Sequence, residues 1–297
     1  MPATTSAHGG TALVTGATDG LGRAAALLLA ERGYRVFAAG RSAERRASLE
    51  QAARERSLPL ETVELDVCDD VSVNHCVSEI ERRAGPVEIL VNNAGIAIAA
   101  VVEEITIDDL RKQYETNIFG VLRATQRVLP LMRHRGRGRI INMSSIAGKV
   151  AIPIMGPYAS SKHALEALSD ALRLELRPFG IHVVLIEPGV IRTSMSRTAE
   201  RLSIAYVQGA ERSPYGHVYQ GFRRNWDIAT KAARDTPEDC ARIILQAVEE
   251  TPPRARYLVT REAKLTALMR RFMPDRMFDS GIQKRLGLKE PKEGTLQ

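Results

Sequence analysis

A tyrosine and a lysine stand four residues apart in a segment with helical periodicity, a spacing that can support acid/base chemistry. Tyr158 and Lys162 would lie on the same helix face, about 6 Å apart along its axis. A free tyrosine has a pKa near ~10, and a neighbouring ammonium favours the phenolate; lowering that pKa by ~3 units corresponds to about 4 kcal/mol. The pair can therefore move a proton near neutral pH, although the same spacing on its own is more often structural.

Further polar residues follow short apolar runs, at the positions where parallel strands would end. Ser145 closes one such run thirteen residues before Tyr158, and Asn117 lies within a long helical pattern. Similar polar or Gly/Pro segments follow two other runs, at residues 92–95 and 188–193. Each is by itself more often a turn, a cap or a packing residue. Because ligands bind at the carboxyl ends of the strands in open α/β sheets, the whole set predicts one site at that edge.

A glycine-rich turn follows the first apolar run and leads directly into an alanine-rich helical pattern. Its glycines, Gly16, Gly20 and Gly22, have the spacing G-x-x-x-G-x-G. Glycine lets the backbone approach a pyrophosphate closely, and the free N–H groups of a helix start favour the negative charge. The turn predicts dinucleotide binding, with a purely structural turn as the alternative.

The elements that would position these residues alternate regularly along the chain. Apolar, β-branched runs predict seven strands, near residues 12–15, 35–39, 60–66, 89–92, 139–143, 182–187 and 256–259. Helical patterns lie between them, near residues 21–32, 43–56, 71–84, 107–134, 158–178 and 237–250. This order predicts an α/β fold with one Rossmann-type, doubly wound domain and a seven-stranded parallel sheet. We expect residues 1–297 to form that single domain, with a core over 11–260, a lid over 194–235 and a helical extension over 261–297.

Composition excludes several classes of protein. A chain of 297 residues with 44% hydrophobic and 26% charged residues can bury a large core, which excludes disordered and collagen-like proteins. The net charge of +7 comes mostly from residues 254–297, which hold eleven Lys and Arg against five Asp and Glu, so we expect no nucleic-acid partner. Three cysteines without metal-ligand spacing predict no metal site, and the lack of a signal or spanning segment predicts a cytoplasmic protein.

The motifs taken together resemble those of the short-chain dehydrogenases/reductases, in their shorter, non-extended branch. The likeness covers residues 11 to about 193 and rests on TGATDGLG, NNAG, Asn117, Ser145, the YASSK segment and PGVIRT. It implies hydride exchange between a nicotinamide cofactor and an alcohol or a ketone/aldehyde. Tyr158 would be the acid/base, Ser145 would bind the substrate oxygen, and Asn117 would position a relay water. Lys162 would hold the nicotinamide ribose and lower the Tyr158 pKa.

The same resemblance implies a set of cofactor-binding residues. Besides Tyr158 and Lys162, they are Gly16, Thr18, Asp19, Gly20, Leu21, Gly22, Arg41, Ser42, Asp66, Val67, Asn93, Ala94, Gly95, Pro188, Gly189, Ile191 and Thr193. Arg41 follows the second strand, where a basic residue accepts the 2′-phosphate of NADP and an acidic one would select NAD. Asp19 opposes this reading because its charge would repel that phosphate. We expect NADP, with NAD as the alternative.

Residues after the sixth strand bear on the substrate. Tyr215, Tyr219, Phe222 and Trp226 form an aromatic stripe that either lines a pocket for a bulky lipophilic substrate, steroid- or retinoid-like, or only packs the lid. Members acting on retinoids and hydroxysteroids have similar basic tails, so the likeness favours that group. Small carbonyls or 3-oxoacyl thioesters are the alternative substrates, and a non-catalytic NADP-sensing regulator is the alternative from another class.

Two further expectations concern partners. The tail predicts an amphipathic helix with Leu265, Leu268, Met269, Phe272 and Met273 on one face, which we expect to pack beside the substrate entrance rather than dock on a membrane. The long helical patterns at residues 108–134 and 158–178 resemble those that family members pair between subunits. We therefore expect a homodimer or homotetramer.

Overall fold

A seven-stranded parallel sheet forms the centre of the molecule in the computed structural model, which describes residues 9–288. Its strands are β1 (Gly9–Thr15), β2 (Tyr34–Gly40), β3 (Leu60–Glu64), β4 (Ile89–Asn92), β5 (Gly138–Met143), β6 (Ile181–Glu187) and β7 (Arg256–Leu258). The strand order is β3-β2-β1-β4-β5-β6-β7, and every neighbouring pair is parallel. The predicted Rossmann-type sheet is confirmed. The order reverses between β1 and β4, the place where such sheets bind their ligands.

Helices cover both faces of the sheet and line one of its ends. They are α1 (Gly20–Glu31), α2 (Ala43–Glu55), α3 (Asp70–Ala84), α4 (Ile107–Tyr114), α5 (Gly120–Arg135), α6 (Gly156–Leu176), α7 (Ser194–Gly209), α8 (Gly216–Ala232), α9 (Pro237–Glu249), α10 (Arg261–Phe272) and α11 (Asp275–Leu286). Short 3₁₀ turns occupy Ile146–Gly148 and Arg177–Phe179. None of the helices within residues 9–288 combines the length and apolar character needed to cross a bilayer.

The two faces of the sheet bury separate apolar cores because side chains alternate along each strand. On one face, Ala12 and Val14 of β1 pack with α1, α2 and α9. On the other face, Leu13 packs with α3 and α5, and Phe37 and Leu90 join it there, all without solvent exposure. The central strands are therefore buried on both sides, which explains their nearly continuous apolar sequence.

The helix predicted over residues 107–134 is present and contains one irregular segment. A π-helical segment, Glu115–Phe119, lies between α4 and α5 and contains Asn117. A π segment takes one extra residue per turn and so changes the direction of the side chains within it. The predicted helix is therefore present over its full length, and the π segment, which periodicity did not predict, affects a residue of the predicted site.

The lid forms two helices, α7 and α8, that are bound to α4 and to the loop before it. The Tyr219 hydroxyl donates to Glu104 Oε2 at 2.7 Å, and the Tyr206 hydroxyl donates to Asp109 Oδ2 at 2.6 Å. Tyr215 and Glu103 form a further hydrogen bond. Two members of the aromatic stripe, Tyr215 and Tyr219, therefore anchor the lid through their hydroxyl groups.

The amphipathic helix predicted in the tail is present as α10, but its apolar face does not pack on the protein. Leu265, Leu268 and Phe272 are 58%, 56% and 71% exposed. Helix α10 instead contacts the body through Ala263, which lies close to Gly189. The predicted packing of this apolar face beside the substrate entrance was wrong, because periodicity defines a face without giving its direction.

Candidate active site

The turn between β1 and α1 has the geometry of a phosphate-binding loop. Gly16 has φ +62° and Gly20 has φ +53°, and a side chain at Gly16 would meet the Ala94 backbone at 2.9 Å. Thr15 fixes this approach, since its hydroxyl accepts the backbone N–H groups of Asn93 and Ala94, each at 3.0 Å. The turn therefore offers exposed backbone at the start of α1, where an anion is stabilised.

A cavity of about 290 Å³ extends along the sheet edge from this loop. Its walls contain the following predicted cofactor residues: Gly16, Thr18, Asp19, Gly20, Leu21, Arg41, Ser42, Asp66, Val67, Asn93, Ala94, Gly95 and Thr193. Unpredicted residues also line it, namely Gly40, Arg45, Leu65, Cys68, Ile96, Thr116, Met195 and Thr198. Its lining fits a dinucleotide, with a glycine-rich turn at one part of the wall and the cationic side chains of Arg41 and Arg45 at another.

Six predicted cofactor residues lie outside the cavity wall: Tyr158 and Lys162, which belong to the catalytic group described below, and Gly22, Pro188, Gly189 and Ile191. Gly22 packs beneath the loop, where a side chain would meet Asn93 Nδ2 at 2.3 Å. Gly189 faces Thr260, Ile191 belongs to the apolar core, and the Pro188 carbonyl accepts the Ile146 N–H at 2.9 Å. The 188–193 segment thus brings only Thr193 to the wall, and its other residues support the turn after β5.

The end of the cavity beyond β2 carries two ion pairs. Arg41 Nη1 lies 3.5 Å from Asp66 Oδ2, and Arg45 Nη1 lies 3.2 Å from Asp19 Oδ2. Asp19 also accepts the Gly20 N–H at 2.7 Å, so its carboxylate caps α1 while facing an arginine. Because Arg45 offsets the Asp19 charge, the objection to NADP raised by the sequence is weakened. Arg45 was missed since its partner lies 26 residues away in the chain.

The predicted catalytic side chains gather beside the carboxyl end of β5. Tyr158 and Lys162 lie on α6 and are 8% and 5% exposed, and the Lys162 ammonium lies 5.7 Å from the centre of the Tyr158 ring. Lys162 Nζ donates to the Met143 carbonyl at 2.8 Å. Ser145 Oγ accepts the Ala147 N–H at 3.1 Å and donates to the Pro188 carbonyl at 3.5 Å, and the Ser145 side chain is near enough to lower the pKa of Tyr158.

Asn117 joins this group through the backbone of the neighbouring loop. Its side-chain amide donates to the Ile96 carbonyl at 2.9 Å and to Ser161 Oγ at 3.0 Å. Its side-chain oxygen accepts the Ile96 N–H at 2.9 Å. Asn117 therefore ties the loop after β4 to α6, and both ends of its amide are engaged in doing so.

Burial sets the ionisation of the two central groups. It raises the pKa of Tyr158 to about 12, with the Ser145 hydrogen bond acting in the opposite direction. Burial lowers the pKa of Lys162 to about 8, and the Glu166 carboxylate opposes this by attraction. The expected lowering of the Tyr158 pKa by Lys162 is not observed; at neutral pH Tyr158 is a protonated phenol, ready to donate.

A buried ionic cluster, which the sequence did not reveal, lies under this group. Glu187 is fully buried at the end of β6, and its Oε1 lies 3.1 Å from Lys149 Nζ and 3.2 Å from Arg256 Nε. Glu166 shares both cations, at 3.7 and 3.1 Å. Burial, followed by repulsion from Glu166, raises the pKa of Glu187 to about 7. The sequence feature that could have indicated this cluster is Glu166, which stands four residues after Lys162 on the same helix.

The part of the chain that the structure describes offers no side-chain cluster suited to a metal ion. Residues 9–288 contain no group of three or more His, Cys, Asp or Glu side chains that could hold an ion. Cys68, Cys76 and Cys240 are free thiols.

A family model described as short chain dehydrogenase matches residues 10–202, about two thirds of the chain, and the chain belongs to this family. Three relatives match over most of their length. An uncharacterized oxidoreductase, YusZ, of Bacillus subtilis is 38% identical, covering 93% of this chain and 98% of the relative. An NADPH-dependent 3-dehydrocapnine reductase of Ornithobacterium rhinotracheale is 34% identical, with coverages of 93% and 96%. Retinol dehydrogenase 8 of Bos taurus is 32% identical, with coverages of 87% and 84%.

A solved structure agrees with this assignment. The gluconate 5-dehydrogenase of Burkholderia cenocepacia, in complex with NADP and tartrate, superposes with a TM-score of 0.71 at 26% identity, covering 87% of this chain and 96% of that one. The protein is therefore a short-chain dehydrogenase/reductase, an oxidoreductase that uses a nicotinamide cofactor.

Proposed function

We propose that this protein is an NADP(H)-dependent oxidoreductase that interconverts an alcohol and a ketone or aldehyde, with Tyr158 as the acid/base. The observation that carries the proposal is the grouping of Ser145, Tyr158 and Lys162 at the end of β5, where Lys162 lies beside Gly95 of the cavity wall. The bound nicotinamide would supply or accept the hydride. The remaining chemistry belongs to side chains of this chain.

In the direction of reduction, Tyr158 donates its proton to the substrate oxygen. Its raised pKa keeps the phenol protonated beforehand, and the resulting phenolate is stabilised by Lys162, whose pKa of about 8 leaves it mostly charged at pH 7. Ser145 Oγ accepts the Ala147 N–H, and its hydroxyl donates to the Pro188 carbonyl over a long contact of 3.5 Å. In this proposal the hydroxyl turns from that carbonyl and donates to the substrate oxygen. That donation stabilises negative charge developing on the substrate oxygen.

The remaining roles in the site concern binding. Lys162 holds the nicotinamide ribose, Thr193 lies on the wall that would face the nicotinamide amide, and Asp66 and Val67 flank the adenine. Asn117 keeps the loop after β4 in place through Ile96, and a relay water at its backbone is part of the proposal.

The choice of NADP rests on the two arginines beyond β2. Arg41 and Arg45 are 73% and 59% exposed and lie beside Ser42 in the cavity wall, so both guanidinium groups can reach a phosphate. Comparing kcat/KM for NADPH and NADH with one carbonyl substrate tests this choice. We expect NADPH to be favoured; a clear advantage for NADH refutes it.

The proposed substrate is bulky and lipophilic. The support is an apolar cluster in which Val218 and Tyr219 of the lid pack on Ile154, four residues before Tyr158, with Phe222 at its border. Phe222 and Trp226 are stacked, with ring centres 5.7 Å apart, next to that cluster. NADPH oxidation should be followed with small carbonyls, acetoacetyl thioesters, retinal and ketosteroids. We expect turnover with the last two; turnover restricted to the small or thioester substrates refutes this part.

Assembly and location complete the proposal. We propose a homodimer or homotetramer that pairs α5 and α6, since Leu168 and Leu174 on α6 are 38% and 60% exposed. Light scattering should therefore give at least twice the monomer mass. A cytoplasmic location is proposed because the described cysteines are unpaired thiols, which suits a reducing compartment.

A further inference from the structure

Helix α10 presents large apolar side chains to solvent in a narrow arc. At about 100° per residue, Leu265, Leu268 and Phe272 fall within an arc of about 60°, opposite the buried Ala263. All three are more than half exposed. Apolar surface of this size on one helix face indicates an interaction site rather than ordinary surface.

Cations border this arc on one side. Lys264 and Arg271 follow the arc around the helix, and both line a cavity of about 400 Å³ between α10 and the body of the protein. Lys149 and Arg270 also line it, but they are paired with Glu187 and Asp275 at 3.1 and 2.7 Å. Within residues 9–288, no carboxylate lies within 4.0 Å of Lys264 or Arg271, so both charges are open to a ligand.

The net positive charge of residues 261–288 indicates which kind of partner the exposed face of α10 can bind. Residues 261–288 contain seven Lys and Arg against three Asp and Glu. A second copy docking on the same face would bring two positive surfaces together, because a two-fold interface pairs a patch with itself. An anionic bilayer instead offers phosphates to the cations and a hydrocarbon boundary to the apolar arc.

We propose that α10 docks this enzyme on anionic lipid bilayers. Leu265, Leu268 and Phe272 enter the interface, and Lys264 and Arg271 contact lipid phosphates, with the cavity beside them receiving a headgroup. The helix begins against Gly189, and the cavity is lined by Lys149, four residues after Ser145. A bilayer at α10 therefore adjoins the edge of the sheet that carries the candidate active site. The docking itself does not depend on the proposed substrate.

Vesicle sedimentation with the full chain tests this docking. Vesicles are made of phosphatidylcholine alone or with one third phosphatidylglycerol, and NADPH binding checks that each variant is folded. We expect pelleting only with the anionic vesicles and weaker pelleting as salt rises. The double variant Leu268→Glu with Phe272→Glu should stay in solution. The double variant Lys264→Gln with Arg271→Gln should lose roughly 25-fold in partitioning, at about fivefold for each cation.

Matched controls separate docking from general surface effects. Val71 on α3 and Ile107 on α4 are 75% and 60% exposed, so Val71→Glu with Ile107→Glu adds the same two charges to apolar sites away from α10 and should pellet like the wild type. Lys112→Gln on α4 controls for the loss of a cation. Equal recovery of the wild type and the Leu268→Glu/Phe272→Glu variant overturns the proposal. So does a fall in particle mass caused by that variant without vesicles, since the face would then join two copies of the chain.

Discussion

Replacing Arg41 by alanine should separate the two nicotinamide cofactors. Arg41 lies in the cavity wall beyond β2, where its guanidinium is 73% exposed and 3.5 Å from Asp66. A hydrogen bond to a charged group contributes about 1.5–3 kcal/mol, and high exposure selects the lower end of that range. A loss of about 1.5–2 kcal/mol corresponds to a fall of roughly 10- to 30-fold in kcat/KM for NADPH. NADH lacks the 2′-phosphate, so kcat/KM for NADH should change by less than about fivefold, since an exposed ion pair contributes only ~0–1 kcal/mol.

The assay is the initial rate of cofactor oxidation with one carbonyl substrate, over a range of NADPH and of NADH concentrations. Arg54→Ala is the matched control, because Arg54 is a 78% exposed arginine on α2, paired with Glu50 and absent from the cavity wall. It should leave both cofactors unchanged. An equal fall with NADPH and NADH in Arg41→Ala, or no fall with either, would refute the role assigned to Arg41.

Three other predictions concern charge, pH and packing. Arg45→Ala should lower kcat/KM for NADPH several-fold, because the negative charge of Asp19 is then no longer offset. Adding Asp19→Asn should restore kcat/KM in steady-state assays. Failure of this rescue would contradict the pairing of Arg45 with Asp19. The rate of reduction should fall above about pH 8, because Lys162 then loses its charge. Glu166→Gln should move this fall to lower pH, because the Glu166 carboxylate raises the Lys162 pKa. A pH–rate profile that is the same in this variant as in the wild type would exclude the coupling. Phe37→Ala should lower the free energy of unfolding, measured in urea, by about 3–5 kcal/mol, because Phe37 is fully buried in the sheet core. Val71→Ala should lower it by less than about 0.5 kcal/mol, because Val71 is exposed. Similar losses in the two variants would show that the sheet core is misassigned.

The sheet and the catalytic group could be predicted from the sequence because their signals are local. The apolar runs predicted the seven strands of the sheet. The polar residues that follow those runs were predicted to meet at the edge formed by the carboxyl ends of the strands. Helical spacing placed Tyr158 and Lys162 on one helix face, and the resemblance to the family supplied their expected roles. The parallel strand order confirms the sheet and the family model confirms the family, while the roles of the catalytic group stay a prediction.

Other features depend on distances that no short window of sequence contains. The pairing of Arg45 with Asp19 spans 26 residues, and the cluster around Glu187 joins three elements. The pKa of Tyr158 follows from burial, which spacing does not reveal. The π segment at Asn117 inserts one residue into an otherwise regular pattern, so periodicity predicted a continuous helix.

Tyr158→Phe tests the central claim most directly. The phenol is the proposed proton donor, so its removal should lower kcat by roughly 10²- to 10⁴-fold while the Kd for NADPH stays within about twofold. Tyr257→Phe is the matched control, because Tyr257 is also a buried tyrosine but lies in β7 with its hydroxyl on Glu250. Both variants should be measured by NADPH titration and by carbonyl reduction at saturating NADPH. Near-normal turnover of Tyr158→Phe with bound NADPH would contradict the account.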